Sequence, residues 1–239
     1  MKDAIVIIPT YNEIENIEAI IEAVFNLPKK FDILIVDDNS PDLTANKVKE
    51  LQSKYPKELH LEVRKKKAGI GTAYIHGFKW SLERNYSYIF EMDADFSHNP
   101  KDLIKLYNAC AKDQVDLAIG SRYVKGVNVV NWPLSRVILS YGASMYVRLI
   151  TGMKIKDTTA GFICYKKEVL EAIDFNHVKF IGYAFQIEMK FKAYLKNFKI
   201  KEVPVIFTDR TKGESKLSSS IISEAIFGVV KMKLFSIFK

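Results

Sequence analysis

The sequence predicts an α/β fold with a mostly parallel central sheet flanked by helices, and three observations support this prediction. Apolar runs of strand length alternate with segments of helical periodicity through the first 121 residues. Strands joined by helical crossovers run parallel, because the crossover returns the chain to the same end of the sheet. Polar clusters follow three of the strands, at the sheet edge where ligands of such folds bind. The pattern therefore indicates an α/β domain with a ligand site along one edge.

The first half of the chain alternates five predicted strands with four predicted helices. Each strand is a short apolar run, and each helix carries apolar residues three or four positions apart, as Ile17, Ile21 and Val24 do. Alternation of this kind places helices on both faces of a parallel sheet. The strands are expected at 4–8, 32–36, 59–63, 88–92 and 116–120, and the helices near 14–24, 44–54, 72–83 and 101–111.

The second half keeps helices and strands but loses the strict alternation. The apolar pattern predicts a helix at 137–151, a strand at 159–165, a helix at 184–198 and a strand at 203–207. A final amphipathic helix is expected at 218–238. Its predicted apolar face consists of Ile221, Ile222, Ala225, Ile226, Val229 and Val230, with Lys231 and Lys233 nearby.

The positive charge of the protein is concentrated in its second half. Residues 122–239 contain 20 Lys and Arg against 9 Asp and Glu, whereas residues 1–121 contain 16 against 19. A basic half indicates an anionic partner, which can be nucleic acid, lipid headgroups or a phosphorylated substrate. Composition alone does not choose among these three.

Two further features limit the class of protein. Cys110 and Cys164 lie far apart in the sequence and are predicted to be two separate buried thiols. No window of 18 apolar residues occurs, so the sequence predicts no membrane-spanning helix.

Asp93 and Asp95 directly follow the predicted fourth strand. Residues two apart on an extended chain point the same way, so both carboxylates are expected at one edge of the sheet. Two anions this close repel each other unless a cation lies between them. Mg²⁺ and Mn²⁺ take carboxylate oxygens and bridge to phosphates, which favours a metal site here. The alternative is a solvated turn at a strand end, where Asp is common.

Strands 1 and 2 also end in polar clusters. Tyr11 is suited to lie against a nucleobase, and Glu13 to accept a hydrogen bond from a base or a ribose. Alternatively, Asn12 caps the next helix, with Glu13 in its first turn. Asp37 and Asp38 lie where a ribose or base edge would bind. A Rossmann-type site is disfavoured, because no Gly-x-Gly-x-x-Gly motif follows strand 1.

These clusters belong to a longer set of short motifs. In the first half they are PTYNE at 9–13, VDDNSPD at 36–42, GIGTAYIH at 69–76 and MDADFSH at 92–98. In the second half they are GSRY at 120–123, Trp132, Arg136, GF at 161–162, GYAFQIE at 182–188, EVP at 202–204 and RTKGESK at 210–216. The set resembles family 2 glycosyltransferases, and more narrowly the dolichyl-phosphate (polyprenyl-phosphate) mannose synthases. The likeness covers nearly the whole chain, and its second-half motifs are the more specific ones.

The resemblance implies a GT-A fold that binds a nucleotide sugar, GDP-mannose being the favoured donor, and a divalent cation, Mg²⁺ or Mn²⁺. The implied donor-binding residues are Pro9, Tyr11, Glu13, Val36, Asp38, Asp93, Ala94, Asp95 and Lys216. The implied metal ligands are Asp93 and Asp95. Some relatives have a Gln ligand two residues beyond the second Asp, where this chain has Ser97, a poorer ligand whose place water can take.

The acceptor implied by the resemblance is a polyprenyl or dolichyl monophosphate. Asp95 is implied as a catalytic residue together with four residues that match positions holding the acceptor phosphate, which are Arg122, Arg136, Ser140 and Arg210. A lipid phosphate is already an anion near pH 7, so it can attack the anomeric carbon without a dedicated base. Attack opposite the leaving group would invert the anomeric centre.

Two other functions compete with this interpretation. A family 2 transferase that uses UDP-glucose or another nucleotide sugar, with polyprenyl phosphate or another acceptor, would share most of the motifs. Nucleic-acid binding would use the basic half, but the paired acids at 37–38 and at 93 and 95 would repel a polyanion. No nucleic-acid partner is therefore expected.

The domain organisation follows from the resemblance. We expect a catalytic domain at 1–216, made of a nucleotide-sugar and metal half (1–121) and an acceptor half (122–216), followed by an amphipathic helix at 217–239. The tail and the 137–151 helix are expected to rest on the cytoplasmic face of a membrane, which would make the protein cytoplasmic and peripheral. The alternative is that both helices pack on the sheet. A membrane-anchoring partner or a homo-oligomer stays open.

Overall fold

The computed structural model describes residues 3–182, 184–209 and 219–237, and in the last helix it describes the side chains of 227–236. Within these ranges, strands form a seven-stranded and a two-stranded sheet. The strands are β1 (Ala4–Thr10), β2 (Asp32–Asp37), β3 (Leu59–Val63), β4 (Tyr88–Glu91), β5 (Leu117–Ser121), β6 (Val129–Val130), β7 (Ile163–Lys166), β8 (Ile200–Pro204) and β9 (Phe207–Thr208).

Helices cover both faces of the larger sheet, as predicted. The α-helices are α1 (Ile17–Phe25), α2 (Thr44–Gln52), α3 (Ile70–Glu83), α4 (Leu103–Ala111), α5 (Leu134–Thr151), α6 (Lys167–Ala172), α7 (Ala184–Leu195) and α8 (Ser219–Ile237). Short 3₁₀ helices lie at Pro100–Asp102 and Phe175–His177.

The central sheet has the strand order β3-β2-β1-β4-β7-β5-β8. All neighbouring pairs are parallel except those of β7, which runs antiparallel to both β4 and β5. The beginning of β7 therefore lies at the same edge as the carboxyl ends of the other strands. This arrangement confirms the predicted mostly parallel α/β sheet and gathers six strand ends and one strand start at one edge.

Alternate residues of each strand pack into two apolar layers, one on each face. In β1, Val6 and Ile8 lie in the layer covered by α1, α2 and α4, whereas Ile5 and Ile7 lie in the layer covered by α3, α6 and α7. The period of two that defines a strand explains why both faces can be buried at once. Cys110 and Cys164 are buried free thiols, as predicted.

Several predicted boundaries in the second half were wrong. The strand predicted at 159–165 is limited to Ile163–Lys166, because 156–160 forms a turn held by side chains from other elements. The strand predicted at 203–207 is divided into β8 and β9 at Pro204, which has no N–H to continue a ladder. Helix α6 and strand β6 were not predicted.

Helix α5 leaves an apolar stripe exposed along its whole length. Its inward face buries Ser144, Val147 and Thr151, and α8 packs against α5 and α7. The exposed stripe consists of Leu134 (73%), Ile138 (63%), Tyr141 (42%), Met145 (49%) and Leu149 (83%). In the part of the chain that the structure describes, no helix has both the length and the apolar composition that crossing a membrane requires.

Candidate functional site

The polar clusters predicted at the ends of β1, β2 and β4 all lie at the carboxyl edge of the sheet. Parallel pairing of β1 with β2 and with β4 brings them side by side. The Thr10 hydroxyl donates to Asp37 Oδ1 at 2.8 Å, and the backbone N–H of Asp38 donates to the Thr10 carbonyl at 3.0 Å. The first two clusters therefore form one connected corner.

The two acids at the end of β2 have different surroundings. Asp37 is fully buried, and its carboxylate accepts from the Ser40 N–H (2.8 Å) and the Ser40 hydroxyl (2.6 Å) as well as from Thr10. Asp37 therefore holds the turn after β2. Asp38, in contrast, accepts a 2.5 Å charge-assisted bond from Arg64 Nε, which fixes its carboxylate at the sheet edge.

Arg64 is a residue of this corner that the sequence analysis missed. Its Nη1 donates to the Thr72 hydroxyl at 2.7 Å, and its buried Nη2 has no hydrogen-bond partner in the structure. Next to it, Lys67 Nζ lies 4.3 Å from the centre of the Tyr11 ring. The signal that could have found Arg64 is its place directly after β3, at the same sheet edge as the other clusters.

Two further donor-site candidates of this corner, Val36 and Pro9, lie within strands β2 and β1. Val36 is fully buried in the sheet, so only its main chain is available to a ligand, and Pro9 is partly buried at the end of β1. The alternative in which Asn12 caps the next helix is wrong. Asn12 has a left-handed φ of 59°, and α1 begins four residues beyond Glu13, at Ile17.

Asp93 and Asp95 follow β4 in a tightly constrained loop. The Asp95 carboxylate accepts a hydrogen bond from the Ser97 N–H at 3.0 Å. Phe96, the residue between Asp95 and Ser97, adopts a left-handed φ of 60°. A left-handed conformation is uncommon for a bulky residue and is found where the surrounding structure imposes it, often at functional sites. Ala94 is buried, so the loop presents the two carboxylates and not the residue between them.

His98 packs against this loop and binds its backbone. Its Nδ1 accepts the Asp93 backbone N–H at 3.2 Å, and its ring stacks on Phe162 with centroids 4.8 Å apart. Burial lowers the pKa of His98 to about 4, so the ring is neutral at pH 7. A neutral ring whose Nδ1 is occupied by a backbone donor positions the loop.

The carboxylates of Asp93 and Asp95 fit a hard divalent cation as a partial ligand set. Within the described ranges, no group of three or more His, Cys, Asp or Glu side chains could surround one ion. Mg²⁺ commonly takes one or two protein carboxylates and completes its shell with water and substrate phosphates. Buried Ser97, which binds Asp95 through its N–H, leaves such positions to water or substrate.

A second cluster, formed by cations, begins at the end of β5. Arg122 is buried and donates to both carboxylate oxygens of Asp157, from Nε at 2.8 Å and from Nη2 at 2.6 Å, and Nη2 also donates to the Thr159 hydroxyl at 2.8 Å. Burial alone would lower the pKa of Arg122, but the charge of Asp157 outweighs it and raises that pKa. The guanidinium is thus charged and held in a single orientation.

The turn that carries Asp157 is held by two charged side chains from other elements, of which Glu202 is partly buried and Lys190 fully buried. Glu202 of β8 accepts from the Lys156 and Asp157 N–H groups at 2.7 and 2.9 Å. Lys190 of α7 is fully buried, and its Nζ donates to the carbonyls of Thr158 (3.1 Å) and Ala160 (2.5 Å). The N–H groups of Lys156 and Asp157 and the carbonyls of Thr158 and Ala160 are therefore all paired, which makes the turn a rigid base for Arg122.

Arg136 and Ser140 lie near Arg122 on the first two turns of α5. Arg136 Nη1 donates to Asp209 Oδ1 at 2.7 Å, and its guanidinium carbon lies 4.1 Å from the centre of the Trp132 ring. The Arg122 guanidinium lies 5.3 Å from the same ring, so Trp132 joins the two cations. Ser140 is partly buried one turn after Arg136. The candidates Arg210 and Lys216 lie outside the described residues.

Strand β9 connects the acidic loop to the cation cluster. The Thr208 N–H donates to the Ser97 carbonyl at 3.4 Å, and the Phe207 ring meets His98 edge-on at 5.4 Å. The centre of the Phe207 ring also lies 5.2 Å from that of Trp132 and 5.5 Å from the Arg122 guanidinium carbon. The structure thus places a pair of carboxylates beside a pair of arginines on one sheet edge.

The sequence matches known proteins over most of its length. The profile of Glycosyl transferase family 2 matches residues 5–174. The chain belongs to glycosyltransferase family 2. This membership confirms the resemblance found in the sequence and shows that the protein is a glycosyltransferase.

Three relatives of the glycosyltransferase illustrate the range of the match. Polyprenol monophosphomannose synthase of Mycolicibacterium smegmatis is 47% identical over 227 residues, covering 95% of this chain and 85% of the relative. Undecaprenyl-phosphate mannosyltransferase of Micrococcus luteus is 42% identical over 228 residues (95% and 93%). Dolichol-phosphate mannosyltransferase of Pyrococcus furiosus is 41% identical over 231 residues (95% and 62%).

Solved structures confirm the GT-A fold of this glycosyltransferase. Glucosyl-3-phosphoglycerate synthase of Mycobacterium tuberculosis, in complex with Mn²⁺, UDP and glucosyl-3-phosphoglycerate, superposes with a TM-score of 0.71 at 14% identity, covering 98% of this chain and 80% of that one. TarS 1–349 of S. aureus in complex with UDP-GlcNAc gives 0.63 at 21% identity, covering 99% and 67%. At these identities the likeness establishes the fold alone.

A buried polar layer beneath the carboxylates was also missed by the sequence analysis. Glu91, the last residue of β4, is fully buried, and burial raises its pKa to about 8. Gln186 of α7 donates to its carboxylate. Gln186 lies in the GYAFQIE motif that the sequence analysis identified. The sequence does not show which strand Gln186 contacts, because that depends on how α7 packs against β4.

Proposed function

We propose that this glycosyltransferase moves mannose from GDP-mannose to a polyprenyl monophosphate and requires a divalent cation, Mg²⁺ or Mn²⁺. The observation that carries the proposal is the placement of two arginines beside two carboxylates. The chain is 41–47% identical to a polyprenol monophosphomannose synthase and to two mannosyltransferases named for undecaprenyl phosphate and dolichol phosphate. The acidic side suits a metal-bound nucleoside diphosphate, and the basic side suits a second phosphate.

On the donor side, the corner formed by β1 and β2 would bind the nucleoside. Asp38, oriented by Arg64, offers a carboxylate to a base or ribose, and Tyr11 offers a ring face. Asp93 and Asp95 would hold the cation, and Lys216 is proposed to contact the donor diphosphate. When bound, the cation neutralises charge that builds on the leaving nucleoside diphosphate.

On the acceptor side, Arg122 and Arg136 would orient the lipid phosphate, with Ser140 and Arg210 as further contacts. Fixed guanidinium groups suit phosphate oxygens and hold the attacking oxygen in place, which lowers the entropic cost of reaction. A phosphate monoester is an anion at pH 7, so the protein needs no general base to activate it. Attack on the face opposite the leaving group would give the β-linked product from an α-linked donor.

An acceptor with a polyprenyl chain brings the enzyme to a membrane. The exposed apolar stripe of α5 is suited to insert at the boundary between lipid headgroups and acyl chains, and α8 packs next to it with Phe227 (76%) and Leu234 (51%) exposed. We propose a peripheral association with the cytoplasmic leaflet through these two helices. An anchoring partner or a second copy of the chain is compatible with this arrangement.

A label-transfer assay tests the donor and the metal. The purified protein is mixed with polyprenyl phosphate in detergent and with labelled GDP-mannose or labelled UDP-glucose, with Mg²⁺, with Mn²⁺ or with EDTA. We expect label to enter the organic phase from GDP-mannose alone, and only with a cation. Asp95→Asn should lower the rate roughly 100-fold or more, because it removes one carboxylate from the metal site.

The matched control is Asp113→Asn, which alters an exposed carboxylate paired with Lys201 and should transfer like the wild type. Transfer from UDP-glucose alone would contradict the proposed donor. Transfer in EDTA would contradict the metal requirement. Metal-dependent nucleotide binding with no transfer from either donor would contradict the proposed acceptor.

A further inference from the structure

The segment around α5 has an unusual charge composition. Residues 117–156 contain no Asp or Glu, although they contain six cations. These are Arg122, Lys125, Arg136, Arg148, Lys154 and Lys156. Arg122 and Arg136 are paired with Asp157 and Asp209 from outside the segment, so their charge is already compensated. The other four form the uncompensated basic part of this surface.

Three of these cations line one groove at the end of α5. The groove has a volume of about 770 Å³. Its apolar wall is formed by Met145, Leu149 and Met153 with Tyr146, and its cationic rim by Arg148, Lys154 and Lys156. The groove has no acidic lining residue.

The cationic rim makes no ion pair within the described part of the chain. Arg148 is half-buried, and its buried Nε has no hydrogen-bond partner in the structure. Lys156 Nζ donates to the carbonyl of Val124 at 3.3 Å, and Lys154 is exposed. A guanidinium that is partly desolvated without a counter-charge is costly, so an anion in the groove would relieve that cost.

The groove does not coincide with the site proposed for the acceptor phosphate. Arg148 lies twelve residues after Arg136 on the same helix, which corresponds to about 18 Å along the axis. A phosphate bound at Arg148 therefore belongs to a different molecule from one bound at Arg136. Leu149, the most exposed residue of the α5 stripe at 83%, lies beside Arg148. An exposed apolar side chain next to unpaired cations is typical of a helix at a membrane interface.

We propose that the groove at the end of α5 binds the phosphate of an acidic phospholipid headgroup, with Arg148, Lys154 and Lys156 as its cationic ligands and Leu149 inserted beside it. This second lipid would set the height and orientation of α5 on the bilayer. This headgroup site rests on the proposed function, in which the acceptor lies in a membrane. Its test measures vesicle binding and needs no sugar transfer. Failure of the headgroup site can therefore be distinguished from failure of the proposed transfer reaction.

The test compares binding to vesicles of pure phosphatidylcholine with binding to vesicles that also contain phosphatidylglycerol, without nucleotide sugar or polyprenyl phosphate. The wild type should bind the phosphatidylglycerol vesicles more tightly. The triple variant Arg148→Gln, Lys154→Gln, Lys156→Gln should lose roughly 100-fold in affinity for them, because each basic residue near an anionic surface contributes severalfold. Its binding to pure phosphatidylcholine should not change.

A triple variant with the same loss of charge serves as the control. Lys49, Lys57 and Lys112 are exposed and make no ion pair in the described structure, so Lys→Gln at all three should change binding much less. Equal losses in the two triple variants would mean that net charge alone acts, and would overturn the proposal. So would equal binding of the wild type to both kinds of vesicle. Detergent transfer assays on the same proteins would show whether the catalytic site is intact.

Discussion

Arg122 shows how the surroundings of one side chain decide what it can do. Its guanidinium is bound to Asp157 on one edge, and its carbon lies 5.3 Å from the centre of the Trp132 ring and 5.5 Å from that of Phe207. An arginine held in this way loses little conformational entropy when it binds a phosphate. Arg122 would bind that phosphate while it remains paired with Asp157. Asp157 therefore acts as a positioning residue for the proposed acceptor site.

Replacing Asp157 with Asn should separate this positioning role from simple charge. We expect the free energy of unfolding to fall by about 3 to 5 kcal/mol, because a buried guanidinium loses its counter-charge. The KM for polyprenyl phosphate should rise about 10-fold, since the guanidinium is no longer held in one orientation. Urea unfolding and acceptor titrations measure the two effects.

Two variants complete this test. Asp113→Asn breaks an exposed ion pair and should cost less than about 1 kcal/mol. Thr159→Val removes the hydroxyl that accepts from Arg122 and donates to Asp157 at 3.5 Å, and should raise the acceptor KM with a smaller loss of stability. An Asp157→Asn protein with wild-type stability and wild-type acceptor KM would contradict this interpretation of the pair.

Some of these residues were predictable from the sequence and others were not. Asp93 and Asp95 directly follow an apolar strand, so their place at the sheet edge required only the period of two. Asp37 and Asp38 are adjacent and chemically identical, and the sequence does not show which one holds the turn. Asp37 holds it through Thr10 and Ser40, whereas Asp38 is bound by Arg64, which is 26 residues away and meets Asp38 because β2 pairs with β3.

Helix α3 shows how the position of an element depends on a single residue. A Cβ added at Gly77 would lie 2.7 Å from Cγ2 of Ile7, which is fully buried in the central strand β1. Glycine here permits α3 to lie close to the sheet. Gly142 in α5 differs, because a Cβ there would meet no atom within 4 Å.

Alanine substitutions at these two glycines should therefore have opposite effects. Gly77→Ala should lower the free energy of unfolding by about 1 to 3 kcal/mol, since the overpacking at β1 outweighs the better helix propensity. Gly142→Ala should raise it by up to about 1 kcal/mol through propensity alone. Thermal or urea unfolding of both variants measures the difference. Equal shifts of the same sign would show that α3 does not depend on this close approach.

The elements of the first half were predictable because each strand and helix alternates in a simple pattern. Those of the second half were less so, because β7 runs antiparallel between β4 and β5 and nothing in its apolar pattern encodes direction. The strand predicted at 159–165 begins late, because its first two residues belong to the turn at 156–160. Glu202 and Lys190 bind the backbone of that turn and keep it out of the ladder.

At the scale of the whole molecule, one sheet edge carries opposite charges side by side. The carboxylates after β4 and the arginines after β5 come from the acidic and basic halves of the sequence, and β9 connects them. The charge asymmetry predicted an anionic partner for the second half. It could not show that two of the arginines are compensated by Asp157 and Asp209, or that the uncompensated cations lie at the far end of α5.

In the proposed reaction, the enzyme transfers a sugar onto a lipid phosphate whose own anion is the nucleophile. The most direct test offers the purified enzyme, with GDP-mannose and Mg²⁺, either a polyprenyl monophosphate or the polyprenol with the same chain, and follows label into the lipid product. We expect transfer to the phosphate and none to the alcohol, because the alcohol brings neither the charge that the arginines bind nor an ionised oxygen. Transfer to the alcohol at a comparable rate would contradict the proposed mechanism, since it would require a general base that this mechanism does not include.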